Sequence, residues 1–169
     1  DRMIPGYTRL YLGGYLSDLA VNPLSTQAYV LDTAGPRLIV IEPATLEWSD
    51  IELPFVPGKL LVNPIGSELL VTAPTTGQIG RFVLDASGNP GELELKDIGG
   101  SPNALACSGD GTLLAAAHLH ERHISILDPV SLAELSRVGI VEACVDGLDN
   151  DGDGLTDRAD PGCINGFDN

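Results

Sequence analysis

The sequence predicts an all-β protein built from four-stranded antiparallel propeller blades, and three observations carry that prediction. The acidic residues Glu42, Asp85 and Asp128 stand 43 positions apart, each at the end of a short apolar run. These runs lie between Gly- and Pro-rich joints at Gly35-Pro36, Pro57-Gly58, Asn89-Pro90-Gly91 and Gly99-Gly100-Ser101-Pro102, the punctuation expected of short strands. Helical patterning is nearly absent, since the one candidate, Val130 to Arg137, matches the turn and fourth strand of its repeat. Short strands recurring at this period describe propeller blades better than any helical repeat.

Taken in chain order, Thr8 to Leu16 reads as the last strand of a preceding blade. Ala20-Val21-Asn22-Pro23 ends the first inner strand and returns as Leu61-Val62-Asn63-Pro64 and, more weakly, as Ala106-Cys107-Ser108-Gly109. The Asn-Pro pairs read as turn chemistry. A second strand follows each of them: Tyr29-Val30-Leu31-Asp32, Leu70-Val71-Thr72-Ala73 and Ala115-Ala116-Ala117-His118. The third strands are Leu38 to Glu42, Phe82 to Asp85 and Ile124 to Asp128. Trp48 follows a Pro-x-Thr-Leu turn, where packing between blades is its expected use. About three blades are visible over residues 1–141, and a closed ring normally takes four to eight. The remaining blades are therefore expected from a longer polypeptide or another subunit. The N-terminal Asp1-Arg2-Met3-Ile4-Pro5-Gly6 has neither a start methionine nor the apolar core of a signal peptide, so the chain is expected to be processed, truncated or part of something longer.

At these residues the chain resembles the YVTN-type, lactonase-like propeller family. The family's characteristic strand corresponds to Tyr29-Val30-Leu31-Asp32, with Asp32 in place of the final Asn, and its following strand to His123 to Asp128. Its inter-blade glycine-proline signal corresponds to Ile98-Gly99-Gly100-Ser101-Pro102. The resemblance runs over roughly residues 10 to 141. It implies a propeller and a bacterial cell-surface setting, and it brings in lactone hydrolysis, because the family includes enzymes that open lactone rings with acidic and His residues at the central channel.

Residues 142–169 read as a second unit, a calcium-binding loop inserted between blades. Taking Asp149 as position 1 of a twelve-residue loop puts Asp149, Asp151 and Asp153 at positions 1, 3 and 5, Gly154 at 6, the Leu155 carbonyl at 7, Asp157 at 9 and Asp160 at 12. Calcium takes six to eight oxygens, and alternating carboxylates with one sharp turn supply them from a short segment. The last ligand is Asp rather than Glu and no amphipathic helices flank it, which excludes a regulatory EF-hand pair. The segment resembles the calcium loops of thrombospondin type 3 and dockerin repeats, and the cysteine-bracketed, Asp-rich repeats of bacterial surface proteins. A solvated acidic turn and a site for another metal remain as alternatives. Cys144 and Cys163 bracket the loop and are expected to form a disulfide, leaving Cys107 as a buried thiol in an apolar strand. A disulfide implies an oxidising compartment, so an extracellular, cell-surface or periplasmic location is expected.

Composition narrows the function. The 169 residues with 43% hydrophobic content suit one globular core. The net charge of −15, from 24 acids against 9 bases, argues against partners that need clustered Lys and Arg, such as nucleic acid or an anionic membrane. No apolar run is long enough to encode a transmembrane helix. No Gly-x-Ser-x-Gly elbow, haem-attachment motif or phosphate-binding glycine loop is present. His118-Leu119-His120-Glu121-Arg122-His123 could bind zinc or copper, but its place between the second and third strands of a blade favours a polar hairpin. Apolar Val21, Val62 and Cys107 on the inner strands, with only Asp18 and Asn103 as polar neighbours, favour a non-enzymatic scaffold for protein or ligand binding, with calcium in a structural role. A lactonase-like hydrolase is the alternative.

Overall fold

The computed structural model describes residues 10–25 and 27–140. Among them are twelve strands and no helix, arranged as three four-stranded antiparallel sheets. The first blade contains β1 (Leu16–Val21), β2 (Ala28–Asp32), β3 (Arg37–Glu42) and β4 (Glu47–Glu52). The second contains β5 (Leu60–Val62), β6 (Glu68–Ala73), β7 (Gln78–Leu84) and β8 (Pro90–Asp97), and the third β9 (Pro102–Cys107), β10 (Leu114–His118), β11 (His123–Leu127) and β12 (Glu134–Gly139). Each strand pairs with the next in sequence, and the inner strand β5 packs beside both β1 and β9. This is a partial β-propeller. The three repeats, and the assignment of Val130 to Arg137 to a turn and a fourth strand, match the expectation.

The patterns of burial explain the strand sequences. Strand β6 is buried on both faces over its last five residues, Leu69 to Ala73, and reads as a continuous apolar run because blades lie against it on both sides. The outermost strand of each blade, β4, β8 or β12, is largely exposed and polar. Two expectations fail here. Trp48 lies on β4 and is 41% exposed, so an outer strand rather than an inter-blade contact holds it. Residues 10–15 form no strand, and β1 begins only at Leu16; the rest of the expected preceding strand lies outside the described residues.

The 43-residue period has a physical origin in the turns between third and fourth strands. Asp85 Oδ1 accepts hydrogen bonds from Ser87 N and Asn89 N, both at 2.8 Å. Asp128 Oδ1 accepts from Val130 N at 3.1 Å and Ser131 N at 2.7 Å, and Glu42 Oε1 from Ala44 N at 3.2 Å. A carboxylate at this position fixes the turn by binding the backbone two or more residues ahead. Hydrogen bonds from Asn89 and Ser131, respectively, hold the Asp85 and Asp128 carboxyls below the usual carboxylate range. The turns after the inner strands work alike: Asn22 Oδ1 accepts from Leu24 N, and Asn63 Oδ1 from Ser67 N, each at 2.9 Å.

Two seams join the blades. The first, between blades one and two, is an apolar cluster that includes Tyr29, Leu31, Leu38, Leu69, Val71 and Phe82, closed by Leu53 and Phe55 from the connection into β5. The second, between blades two and three, is smaller, with Leu70, Ile79, Leu114, Ala116, Leu127 and Leu132. Polar clasps bind across both. The Tyr29 hydroxyl donates to the Gly88 carbonyl at 2.6 Å and Asn22 Nδ2 to the Gly66 carbonyl at 2.9 Å. Arg81, ion-paired with Glu68, donates to the Val130 carbonyl at 2.8 Å across the second seam.

Candidate functional site

Each inner strand starts where the second strand of its blade ends. Leu16 pairs with Asp32 and Pro102 with His118, while Thr72 N donates to the Lys59 carbonyl at 2.9 Å. The starts of β1, β5 and β9 and the three hairpins between second and third strands therefore share one rim. Val21, Val62 and Cys107 lie at the far ends of the inner strands, so their apolar character says nothing about this rim.

Asp18 occupies a register shift in β1, between Leu16 and Asp18, and such bulges re-aim a side chain. Its Oδ2 accepts from Leu60 N of the next blade at 2.8 Å, and its Oδ1 lies 3.7 Å from Lys59 Nζ. Asp18 and Lys59 thus form a partly exposed pair across the first seam, on the inner side of the sheets. The Lys59 backbone is fixed by donation of its N–H to Thr72 Oγ1 at 2.8 Å. Glycine is required just before it, since a Cβ at Gly58 would stand 2.5 Å from Thr72 Oγ1 and 2.7 Å from Pro74 Cγ. On β9, Asn103 accepts from Leu119 N at 3.3 Å through its side-chain oxygen, which leaves its amide N–H groups as donors.

The hairpin corner of each blade is built differently. In the first blade, Asp32 is buried at 1% exposure but accepts from Tyr15 N at 2.8 Å, Ala34 N at 3.0 Å and Arg37 Nε at 3.1 Å. The Tyr15 bond, ahead of the others, holds its carboxyl below the ordinary range. The second blade has Ala73 opposite Gln78. In the third, His118 pairs with His123, and their rings stack with centroids 4.3 Å apart and planes 16° from parallel. They are 1% and 7% exposed, and His118 Nδ1, His118 Nε2 and His123 Nε2 are buried without a hydrogen-bond partner. Burial, then the nearby His123, pushes the His118 imidazole below its ordinary value. His120 lies in the turn and is exposed, so the tight hairpin parts it from the other two.

Among the described residues, no three His, Cys, Asp or Glu side chains come together to hold a metal ion. The expected calcium ligands Asp149, Asp151, Asp153, Leu155, Asp157 and Asp160, and the expected Cys144–Cys163 disulfide, lie outside the described residues. Cys107 is half-buried; burial, then Asp110 and Glu68, push its thiol up. No helix among the described residues is long and apolar enough to cross a membrane.

No protein-family model and no curated protein matches the chain. Solved structures do. The periplasmic gluconolactonase of Pseudomonas aeruginosa superposes with TM-score 0.65 at 20% identity, covering 80% of this chain and 43% of its own. A Bacteroides fragilis protein assigned as a 6-phosphogluconolactonase gives TM-score 0.64 at 17% identity, covering 72% and 38%. The β-propeller domain of a Myceliophteria thermophila protein gives 0.60 at 20%, covering 73% and 42%. The chain spans about two fifths of the length of these structures.

These findings correct the expectation of a non-enzymatic scaffold. Propellers named as a gluconolactonase or as 6-phosphogluconolactonases share this fold, and the apolar residues behind that expectation sit at the far end of the inner strands from the rim. Sequence reasoning missed Lys59. The signal was present, because Lys59 stands two residues before Leu61 just as Asp18 stands two before Ala20. It also did not foresee the stacked histidines, which depend on the register of one hairpin. At these identities the likeness establishes the fold, and in fold the chain is a β-propeller.

Proposed function

We propose that the chain is part of a lactonase-like hydrolase propeller and that Asp18, Lys59 and Asn103 serve its site. The observation that carries this reading is the Asp18–Lys59 pair on the inner rim, where a carboxylate and an ammonium meet across a blade boundary. Lactone opening needs a group to take a proton from the attacking water and donors facing the carbonyl oxygen as it gains charge. Asp18 accepts the water proton as the new C–O bond forms. The Lys59 ammonium and the Asn103 amide face the oxyanion. On collapse the ring C–O bond breaks, and the ring oxygen leaves as a hydroxyl, taking the proton back from Asp18.

The test is a titrimetric assay of the full protein on a panel of sugar lactones. Hydrolysis above the spontaneous rate, falling by about 10²-fold or more in Asp18→Asn, is the expected result. No excess rate on any lactone, or rates unchanged in both Asp18→Asn and Lys59→Met, would sink it. The half-buried Ala115, Ala117, Ile124 and Ile126 on the outer face of blade three suit a further blade, from the same polypeptide or another subunit. We further propose that residues 149–160 bind calcium outside the cytoplasm. Asp151→Ala should weaken calcium binding and speed protease cutting between Cys144 and Cys163, as read by calorimetry and peptide mapping.

A further inference from the structure

The stacked histidines of the third blade take no part in the rim chemistry proposed above, yet they are the most completely buried titratable groups of that blade. Alternation along β10 puts His118 on the same face as Leu114 and Ala116, and along β11 puts His123 on the same face as Leu127. That face forms the second seam with Leu70 and Ile79. On the third blade the part of this seam away from the rim is formed by Leu114, Ala116 and Leu127, while the rim part is the histidine pair, faced by Thr72 and Ile79 of the second blade. We propose that His118 and His123 form an acid-sensitive latch, whose stacked rings keep β10 and β11 seated against the second blade and in which protonation of His118 loosens that seam.

The surroundings offer a proton little compensation. Three of the four ring nitrogens are buried without a partner, so a charge placed there loses its water and gains no acceptor. A second positive ring 4.3 Å away adds repulsion. Of the charged groups nearby, Glu121 lies in the hairpin turn and is exposed. Glu134 and Arg137 on β12 bind each other at 2.7 and 2.8 Å. Exposed His120 and Arg122 lie in the turn. From the second blade, Thr72 and Ile79 face the seam, and the Arg81–Glu68 pair reaches toward Val130 further from the rim. From the linker before β9, Gly100 closes over His118, where a Cβ would come 2.6 Å from Nδ1 and 3.4 Å from Cδ of Glu121, so the exposed Glu121 carboxyl stands beside the same glycine. Burial is also the main cause that depresses the His118 imidazole, with Glu121 and Glu134 opposing it. The sign follows. A depressed imidazole favours the folded state above its ordinary value of 6.5, and this stabilisation is lost as pH falls from there through the folded value.

Hydrogen exchange of the full protein at about pH 7.5 and about pH 5, corrected for intrinsic rates, tests the latch. Opening of the β10 and β11 amides should rise about tenfold or more on acidification, the equivalent of one pKa unit, while β2 and β3 change less than about twofold. In His118→Gln combined with His123→Gln, the acid response of β10 and β11 should vanish. Equal acid opening in both seams, or an undiminished response in the double variant, overturns the proposal. Should that variant fail to fold, imidazole titration of the natural protein decides: a His118 midpoint at or above 6.5 overturns it, and one below supports it.

Discussion

The two seams hold successive blades of one stack by different means. The first has a large apolar core, with Phe82, Leu69 and Val71 fully buried between blades, and carries the partly exposed Asp18–Lys59 pair at its rim. It is also clasped by Tyr29 on Gly88 and by Asn22 on Gly66. The second has half as large a buried cluster and, on the third blade, gives its rim part to two imidazoles. The difference teaches that blades alike in strand order need not be alike in how firmly they dock. Burial of apolar area is indifferent to pH, whereas a seam that includes unpartnered titratable groups holds only over part of the pH range.

The comparison can be broken most directly in the first seam. Phe82→Ala should cost about 3–5 kcal/mol in urea unfolding, the range for a fully buried aromatic, and a loss under about 1 kcal/mol would mean that this seam is not the main anchor. Ile79→Ala in the second seam should fall toward the lower end of about 2–5 kcal/mol, and a loss matching that of Phe82→Ala would erase the contrast. Tyr29→Phe removes the donor to the Gly88 carbonyl and should cost about 1–3 kcal/mol, because a buried carbonyl is left unpaired. The smallest effect sharpens the acid response. Hydrogen bonds from Ser108 and Thr112 hold the exposed Asp110 carboxyl down to about 2. Its carboxyl resonance should therefore stay unchanged as the protein is acidified from about pH 7.5 to about pH 5, and a midpoint above about 4, the ordinary Asp value, would show that the blade-three turn shares in the response.

Much of the fold was legible because blade structure is local. Strand runs, joints and the acidic period at Glu42, Asp85 and Asp128 report contacts within one repeat. The seams were not legible for the opposite reason. A strand such as β6, apolar at Leu69, Leu70 and Val71, does not reveal which of them faces which neighbour. Asp18 and Asn103 are visible as polar residues near inner strands and Lys59 shares the spacing of Asp18, but that Asp18 and Lys59 meet depends on the adjoining blade, where Leu60 N donates to Asp18. Trp48 misled because aromatic bulk suggests burial, and β4 is the strand with no neighbour outside it.

The turn carboxylates carry one more consequence. Asp85 binds Ser87 and Asn89, and Asp128 binds Val130 and Ser131, so the bonds of each lie inside its own repeat. A duplicated stretch of this length would arrive with its corner instructions complete and would need only neighbouring blades to cover its faces. Its faces, written against old neighbours, would be the part left to diverge, and the histidine pair lies on such a face.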